Sequence, residues 1–500
     1  MSDLTFQLIA LAIYFAAMVG IGIYAFRQTK DHEDYMLGGR SLSPGTAALS
    51  AGASDMSGWL MMGLPGAIFV SGLFEAWIGI GLLIGAYLNW RFVAPRLRAY
   101  TEVASNSITV PSYFENRLHD KSRALRIASG IVILVFFTFY ISSGMVAGGV
   151  FFESSFSGDY LTGMLLVAGV TLAYTLFGGF LGATFTDVVQ GMMMLLALIA
   201  IPVVAIISLG GFGGVSEAIV ASGVDHTGLI PEELSWPVII GIISALGWGL
   251  GYVGQPHIIV RFMALRDSHS ATAGRRIGIS WMFLSLLGAV TAGLVAVAYV
   301  QENGVDVADP ETVVLLMAQV LFHPLVSGFI LAAVLAAIMS TISSQLIVCS
   351  SALVEDLFMV VAKKKPSAKT LVLAGRGAVL GVALVAGLLA INPSDSILAL
   401  VGFAWAGFGA AFGPIILLSL YWKKLTNWGA LAGMVAGAAT VFIWSALGTD
   451  LYEIIPGFIL NLVVSVVVSL LTHKPGSATD VDVEREFAET GALAIVKPQK

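Results

Sequence analysis

The stretch from Ser50 to Pro65 reads SAGASDMSGWLMMGLP and lies inside a long apolar run, residues 46–71. The run has the length of a membrane-spanning helix, but glycine, serine and proline residues interrupt it around one carboxylate, Asp55. A charged side chain at the centre of a membrane helix costs about 2.5–3.5 kcal/mol on insertion scales, so such residues usually mark functional sites. Small residues beside the charge let the helix unwind and direct backbone groups toward a ligand. We expect a binding site here; the alternative is a polar residue that joins two packed helices.

The composition of the 500-residue chain is that of a membrane protein. Its residues are 57% hydrophobic and 11% charged, and the mean hydropathy is +0.91, whereas a soluble domain has about 25% charged residues. This predicts an all-α polytopic membrane protein. We expect one transmembrane domain, residues 1–475 with a core at about 46–420, followed by a mobile polar cytoplasmic tail, residues 476–500. The single cysteine, Cys349, excludes an intrachain disulfide.

Thirteen apolar runs are long enough to cross a hydrocarbon core of about 30 Å, and we number them as spans 1 to 13. They lie at residues 6–26, 46–71, 73–93, 125–150, 160–181, 187–209, 237–258, 277–300, 325–356, 371–391, 397–420, 428–447 and 454–472. No Lys or Arg precedes the first run, and it is too long for a cleaved signal peptide, so we expect it to be a retained helix.

Positive charge marks one face of the membrane. With thirteen spans, all 25 Lys and Arg residues fall in alternate connections and in the tail, on one side. The other connections carry acidic residues instead, among them Asp225, Glu232 and Glu311. The positive-inside rule assigns the basic side to the cytoplasm. The sequence therefore predicts an external N-terminus and a cytoplasmic C-terminus.

Span 7 is the second interrupted helix. From Gly241 to His257 it reads GIISALGWGLGYVGQPH, and its Gly249-x-Gly251-x-x-Gly254 matches the dinucleotide fingerprint in letters only, because that fingerprint needs a preceding strand in a βαβ unit. Glycines of this kind also pack neighbouring helices closely. Spans 2 and 7 are five apart, however, and transporters built from inverted repeats have broken helices at corresponding positions. The pattern predicts a core of two inverted five-helix repeats, spans 2–6 and 7–11.

Polar and aromatic side chains in other spans are candidates for the same site. Ser340 and Thr341 are adjacent hydroxyls in span 9; a hydroxyl in a helix often bonds its own backbone, but hard cations such as sodium take oxygen ligands. Carbonyls freed by the break in span 2 would complete such a site. Four aromatic residues are candidates for a substrate wall, although each also suits membrane packing: Trp59, Tyr140, Trp248 and Tyr252.

Asp187 opens span 6, where it is either a helix N-cap or a station on an ion exit route. The chain has no phosphate-binding Gly-Lys-Ser/Thr loop, no His-Glu-x-x-His motif and no cysteine cluster. We therefore expect no enzyme activity. The basic loops adjoin membrane spans and predict no nucleic-acid partner.

Six motifs resemble those of the sodium/solute symporter family, and the resemblance covers about residues 5–475. The motifs are DYMLGGRSL (34–42), ALSAGASDMSGWLMMGLPGA (48–67), GWGLGYVGQPHIIVRFMA (247–264), ILAAVLAAIMSTISSQLIVCSSALVEDL (330–357), WAGFGAAFGP (405–414) and YEIIPGF (452–458). The motifs of spans 2 and 9 are specific to the family, and GWGLGYVGQPH narrows the resemblance to proline transport. The resemblance implies a LeuT-like core, alternating access, Na⁺ as coupling ion and L-proline as substrate in a bacterial cytoplasmic (inner) membrane. It implies no organic cofactor and no obligate protein partner.

The same resemblance implies roles for individual residues. Sodium would bind the carbonyls of Ala53, Met56 and Ala337 and the hydroxyls of Ser340 and Thr341. Asp55 would support sodium binding, either directly or through the helix break. The resemblance implies that Arg40 and Asp187 act in coupling or ion release. It implies a further group of residues in substrate binding: Ser57, Gly58, Trp59, Tyr140, Trp248 and Tyr252.

Three other functions stay open on sequence alone. One is sodium symport of another small amino acid or carboxylate, such as pantothenate or a betaine. Another is a sensor built on a transporter-like bundle, although the tail is too short for a signalling domain. The third is a sodium channel, which would pass the ion far faster than any substrate.

Overall fold

The computed structural model describes residues 2–28, 37–223, 226–231, 233–361, 366–393 and 395–495. Several residues that the sequence analysis used lie outside these ranges: Lys30, Asp34, Asp225, Glu232, residues 363–365, Lys497 and Lys500. Within them the chain is helical, and its one isolated β-bridge joins Leu42 to Leu265. The predicted all-α class is therefore confirmed.

The first half of the chain contains nine helices of eight or more residues among the described residues. They are α1 (Asp3–Gln28), α2 (Pro44–Asp55), α3 (Leu64–Ser71), α4 (Ala76–Leu88), α5 (Ala94–Val103), α6 (Val110–Arg117), α7 (Ala124–Phe156), α8 (Tyr160–Ser208) and α9 (Phe212–Ala221). The chain leaves the helical conformation after α2, and a π-helical turn, Trp59–Gly63, then leads into α3. Another π-helical turn, Asn89–Val93, joins α4 to α5.

The second half has the same mixture of long and broken helices. They are α10 (Trp236–Gly247), α11 (Pro256–Met263), α12 (Ser270–Asn303), α13 (Val313–Leu321), α14 (Pro324–Ser351), α15 (Ala368–Ala390), α16 (Ile397–Tyr421), α17 (Asn427–Leu447), α18 (Ile454–Thr472) and α19 (Ala478–Ile495). A 3₁₀ segment, Trp248–Gly254, separates α10 from α11, and α14 continues through a π-helical segment, Ala352–Phe358.

Eleven helical segments among the described residues are long and apolar enough to cross a membrane. One of them, Trp59–Val103, runs from the second half of predicted span 2 through span 3, and predicted span 5 contributes only a shorter apolar helix, Tyr160–Leu176. The segments around α14 and α16 are mostly buried, whereas fewer than a third of the side chains in the apolar stretches of α1 and α17 are buried. The interior therefore forms around α14 and α16, which face the two broken helices.

Two expectations about charged residues are wrong. Arg91, Arg96 and Arg98, predicted in a loop, lie on the helical continuation of span 3 through α5. Arg261, predicted in the next basic loop, lies inside α11 with 1% of its surface exposed. An arginine inside the bundle needs a partner, because burial removes its hydration; that partner is described below.

The C-terminal segment also differs from the mobile tail expected from its polarity. Residues 478–495 form α19, which packs on α5. Val483 and Phe487 of α19 are buried against the rest of the chain. A few apolar side chains on one helix face thus hold this acidic segment in place.

Candidate functional site

The break in span 2 follows from the local sequence. Ser43 accepts the backbone N–H of Thr46 at 3.2 Å and caps the start of α2. The helix ends at Asp55, after which Met56 has a ψ of 85° and leaves the helical conformation. The carbonyl of Asp55 accepts hydrogen bonds from Trp59 Nε1 at 3.0 Å and Tyr140 Oη at 3.4 Å. Side chains therefore satisfy a carbonyl that the broken helix has released, as an apolar environment requires.

The break in span 7 is stabilised in the same way. Trp405 Nε1 donates to the carbonyl of Trp248 at 2.8 Å, and Asn89 Nδ2 donates to that of Tyr252 at 2.9 Å. A Cβ on Gly85 would lie 2.2 Å from the Gly249 carbonyl oxygen, so bare backbones touch at this crossing. Glycine is therefore required at this crossing, because any side chain would separate the two backbones. This agrees with the interpretation of the glycines in span 7 as helix-packing residues.

The two breaks meet at Asp55. The Tyr252 hydroxyl donates to Oδ2 of this carboxylate, and the rings of Trp59 and Trp248 lie 6.4 Å apart. Asp55 is 1% exposed, its Oδ1 has no hydrogen-bond partner, and it forms no ion pair within the described part of the chain. A buried carboxylate without a cationic side chain is suited to attract a mobile cation.

Three hydrogen bonds link four of the five predicted sodium ligands, and in two of them a hydroxyl donates to the backbone of its own helix. Ser340 Oγ lies 2.8 Å from the Ala53 carbonyl oxygen and 3.1 Å from that of Ala337, and Thr341 Oγ1 lies 3.2 Å from the latter. Met56, the fifth, is fully buried at the break. The contact between Ser340 and Ala53 joins α14 to the end of α2. An all-oxygen set of this kind suits a hard cation such as Na⁺.

The predicted aromatic residues line one connected region. Trp248 stacks on Tyr452 at a centroid distance of 5.3 Å, and Tyr252 meets Trp405 edge-on at 5.1 Å. A cavity of about 760 Å³ reaches Trp248 and Tyr452 from the end of the molecule opposite the basic loops. Sequence reasoning missed Trp405 and Tyr452, although both lie in motifs that it quoted. The position of Trp405 in a glycine-rich apolar span could have indicated it as a site residue.

Ser57 and Gly58 occupy the short connection between α2 and the π-helical turn. Ser57 is 3% exposed, and its Oγ lies 3.5 Å from the backbone nitrogen of Trp59. A Cβ on Gly58 would lie 2.9 Å from Ala147 Cβ, so a larger residue has no room. The backbone at Gly58 therefore packs closely against α7, next to Trp59.

Asp187 belongs to a separate polar cluster. It lies well inside α8, which departs from helical geometry only at Gly179, so the N-cap interpretation is wrong. Its Oδ2 accepts from Ser50 Oγ at 2.7 Å and pairs with Arg261 Nη2 at 3.2 Å. Arg261 also donates to Ser50 Oγ at 3.1 Å and to Ser344 Oγ at 2.7 Å. The cluster joins α2, α8, α11 and α14, and its arginine was missed because it was counted as a loop residue.

Arg40 lies just before α2. Its guanidinium donates to Thr101 Oγ1 at 3.0 Å, the Met263 carbonyl at 3.0 Å and the Ser107 carbonyl at 2.8 Å. These contacts hold the start of span 2 to the ends of α5 and α11. Arg40 therefore contacts the ends of α5 and α11, and these three hydrogen bonds involve none of the other predicted site residues.

Glu311 is a further residue that sequence reasoning did not select for the site. Its two carboxylate oxygens accept the backbone N–H groups of Ile397 at 2.8 Å and Leu398 at 3.0 Å, at the start of α16. Burial raises the pKa of Glu311, and the two N–H donors act in the opposite direction. Gly66, whose Cβ would lie 2.9 Å from the Glu311 backbone, brings α3 against this residue. Glu311 thus ties three elements together beside the large cavity.

We expect Glu311→Ala to destabilise the protein by about 1–3 kcal/mol, because two buried N–H groups lose their acceptor. Glu311→Gln keeps one acceptor and should lose less. The thermal unfolding midpoint of the detergent-solubilised protein measures both. Glu302→Ala is the matched control, since Glu302 is an exposed carboxylate at the same end. An unchanged midpoint in Glu311→Ala would show that this capping contact is not significant.

The chain matches the model of the "Sodium:solute symporter family" over residues 35–437. It is 54% identical over 463 residues to the "High-affinity proline transporter PutP" of Bacillus subtilis (strain 168), covering 92% of this chain and 97% of the relative. It is 51% identical over 491 residues to a "Sodium/proline symporter" of Staphylococcus aureus (strain JH9), covering 95% of both.

A solved structure of a Na⁺-coupled sialic acid symporter, in a substrate-bound outward-open state, has a similar fold. The TM-score is 0.80 over 93% of this chain and 98% of that chain, at 18% sequence identity. At this identity the similarity concerns the fold alone.

Proposed function

The chain belongs to the sodium:solute symporter family, and we propose that it imports L-proline together with Na⁺ across the bacterial cytoplasmic membrane by alternating access. The observation that carries this proposal is the meeting of the two helix breaks. At that point a buried carboxylate, an oxygen cluster and an aromatic wall adjoin one another. Relatives at more than 50% identity that are named for proline transport support the choice of substrate.

The proposed topology has thirteen spans, with the N-terminus outside and the C-terminus in the cytoplasm. In this proposal α2 and α3 form one broken span, and α8 contains two spans that separate at Gly179, where φ is 58° and ψ is −162°. Spans 2–6 and 7–11 form the two inverted repeats. The corresponding breaks in spans 2 and 7 support this arrangement, because inverted repeats place discontinuous helices at matching positions.

Sodium in this proposal binds between the end of α2 and the middle of α14. The ligands are the carbonyls of Ala53, Met56 and Ala337 and the hydroxyls of Ser340 and Thr341. The Ser340 hydroxyl must turn its hydrogen away from Ala53 so that its lone pair faces the ion. Asp55 then supplies the compensating negative charge from the adjacent turn, directly or by fixing the break.

Proline needs a polar and an apolar contact, because it is a zwitterion with a compact ring. Backbone N–H groups near Ser57 and Gly58 lie next to the start of a helical segment, whose positive end favours a carboxylate. Trp59, Trp248 and the tyrosines Tyr140 and Tyr252 provide the wall for the ring. A secondary amine has fewer donors than a primary amine, so acceptors placed for it would discriminate against other amino acids.

One sodium ion per proline is energetically sufficient. A membrane potential of about 100 mV contributes about 2.3 kcal/mol per charge, and a tenfold sodium gradient adds about 1.4 kcal/mol. The total of about 3.7 kcal/mol supports roughly 500-fold accumulation of a net-neutral solute.

Arg40 and Asp187 act in coupling or ion release in this proposal. Asp187 shares Ser50 with Arg261, which also donates to Ser344, and these two serines lie on the helices that carry the proposed sodium ligands. A shift of α2 relative to α14 on sodium release therefore changes the Asp187–Arg261 cluster. Arg40, which contacts the end of α11 through Met263, transmits the same shift to the basic end.

We expect Ser340→Ala and Thr341→Ala each to raise the half-saturating sodium concentration for uptake about tenfold, equivalent to about 1.4 kcal/mol for one lost ligand. Ser350→Ala is the matched control, because its hydroxyl lies on the same helix and donates instead to the Gly375 carbonyl. Sodium titration of proline uptake measures the effect. The same sodium requirement in all three variants would contradict the placement of the ion.

The decisive test of the function is uptake of labelled proline by proteoliposomes, with and without an inward sodium gradient. We expect concentrative uptake that requires sodium. Excess unlabelled pantothenate or betaine should not compete; strong competition would point to another symport substrate. Sodium current without substrate, recorded electrically, would favour a channel, and absence of both flux and current would favour a sensor.

A further inference from the structure

Two polar side chains, Gln255 and His257, flank Pro256 at the start of α11, directly after the break in span 7. Gln255 lies just before the helix and has a non-helical ψ of 109°. Both side chains are fully buried. In the proposed topology span 7 runs from the outside to the cytoplasm, so these residues lie between the break and the basic end of the molecule.

The two side chains contain three polar atoms that have no hydrogen-bond partner in the described part of the chain: Gln255 Oε1, His257 Nδ1 and His257 Nε2. A neutral imidazole has one donor nitrogen and one acceptor nitrogen. Unpaired polar groups in the interior destabilise a fold, and natural proteins contain few of them. Three such atoms on two neighbouring residues therefore need a reason other than stability.

The neighbours of both side chains belong to the region of the aromatic wall. The His257 ring meets Tyr140 edge-on at a centroid distance of 5.9 Å and Phe137 at 5.4 Å. Gln255 Nε2 donates to the Trp405 carbonyl at 3.1 Å. The two residues thus form a polar layer directly behind the aromatic residues, on the side of the basic end.

The start of α11 has a counterpart in span 2 under the proposed inverted repeats. The helical segment after Ser57 and Gly58 also begins directly after a break, and the positive end of a helix favours an anionic group. That segment runs to the external side, whereas α11 runs to the basic end. The lining of the large cavity includes Trp248 and neither Gln255 nor His257. A substrate that enters from outside therefore reaches the start in span 2 first.

We propose that Gln255 and His257 form an exit subsite, which takes over the charged groups of the substrate from Ser57 and Gly58 when the site opens toward the cytoplasm. His257 donates its ring N–H to the carboxylate at the positive start of α11. Gln255 Oε1 accepts a hydrogen bond from the secondary ammonium. Because these atoms are unpaired before the substrate arrives, the new hydrogen bonds replace none within the protein. The subsite rests on the proposed symport of L-proline and adds residues that act in its release.

The test compares recognition of the substrate from the two sides of the membrane in the full-length protein. Exchange of labelled proline is measured in right-side-out and inside-out vesicles, with unlabelled L-proline or L-prolinamide as competitor; in L-prolinamide an amide replaces the carboxylate. We expect His257→Leu to reduce the preference for proline about tenfold at the cytoplasmic side and by less than about twofold at the external side. His257→Asn, which keeps a donor and an acceptor, should retain most of the preference.

Phe137→Leu is the matched control, because it changes the packing on the same ring but removes no polar atom. It should leave the preference unchanged at both sides. The preference is informative because a shift between outward and inward states changes the affinity for both competitors by the same factor. A parental preference at the cytoplasmic side in His257→Leu, or an equal loss at both sides, would overturn the proposal.

A second measurement decides the outcome if His257→Leu does not transport. The thermal unfolding midpoint of the substrate-free protein in detergent should be no lower than in the parent, because an apolar residue of similar size replaces two unpaired nitrogen atoms. A lower midpoint would show that the fold needs the ring, and it would overturn the proposal. Absence of proline exchange in the parent would instead refute the proposed substrate. The midpoint requires no substrate, so the two failures are distinguishable.

Discussion

Asp55→Asn is expected to abolish sodium-driven proline uptake while the protein still inserts and folds. The substitution keeps the size of the side chain and removes the charge of Asp55, which has no ion-pair partner among the described residues. Two opposite charges about 4–6 Å apart attract each other by about 3–4 kcal/mol at an effective dielectric constant of 20. Losing this attraction weakens sodium binding by about 100- to 1000-fold.

The measurement is the initial rate of proline uptake as sodium is varied, with surface expression checked in parallel. Tyr252→Phe removes the hydrogen bond to Asp55 but keeps its charge, so we expect an intermediate loss. Asp450→Asn, an exposed carboxylate between α17 and α18, should transport normally. Wild-type sodium dependence in Asp55→Asn would refute both the ion site and the role of the break.

Arg261→Met is expected to have the largest effect on stability. Removing one partner of a buried ion pair leaves the other charge uncompensated, at a cost of about 3–5 kcal/mol. Asp187 is fully buried, and its remaining contact with Ser50 does not neutralise it. The thermal unfolding midpoint in detergent should therefore fall sharply, and uptake should be lost with it.

The double variant Asp187→Leu/Arg261→Met separates stability from coupling. Apolar residues that replace a whole buried pair are often neutral or stabilising, so the unfolding midpoint should recover. Uptake should remain impaired, because the polar link between α2, α8 and α14 is gone. Recovery of both properties would show that the pair has only a structural role.

The membrane class and both helix breaks were predictable from the sequence because their signals are local. A carboxylate among small residues identifies the break at Asp55, and glycines followed by a proline identify the one before Pro256. Hydroxyls in an apolar span likewise pointed to Ser340 and Thr341. The contact of Ser340 with the Ala53 carbonyl joins residues far apart in the chain; the helix break predicted a carbonyl partner from span 2, and the family resemblance alone indicated Ala53.

Other features were not predictable because their signals depend on tertiary partners. Arg261 resembles a loop cation until Asp187 is known to lie beside it. The acidic C-terminal segment has the composition of a mobile tail, and its docking depends on a slot that Tyr100 and Arg117 form. Glu311 also resembles an ordinary loop carboxylate until the start of α16 is placed next to it.

The stacking of Tyr452 on Trp248 has a consequence for the modularity of this architecture. Tyr452 precedes the apolar helix α18, outside both proposed repeats, yet its hydroxyl also donates to the Gly402 carbonyl at 2.6 Å. A residue outside the proposed repeats thus completes the aromatic wall around Trp248. If the chain were reduced to the ten helices of the proposed repeats, this aromatic wall would be incomplete, so we expect an exchange of α18 and the preceding loop between relatives to alter substrate preference.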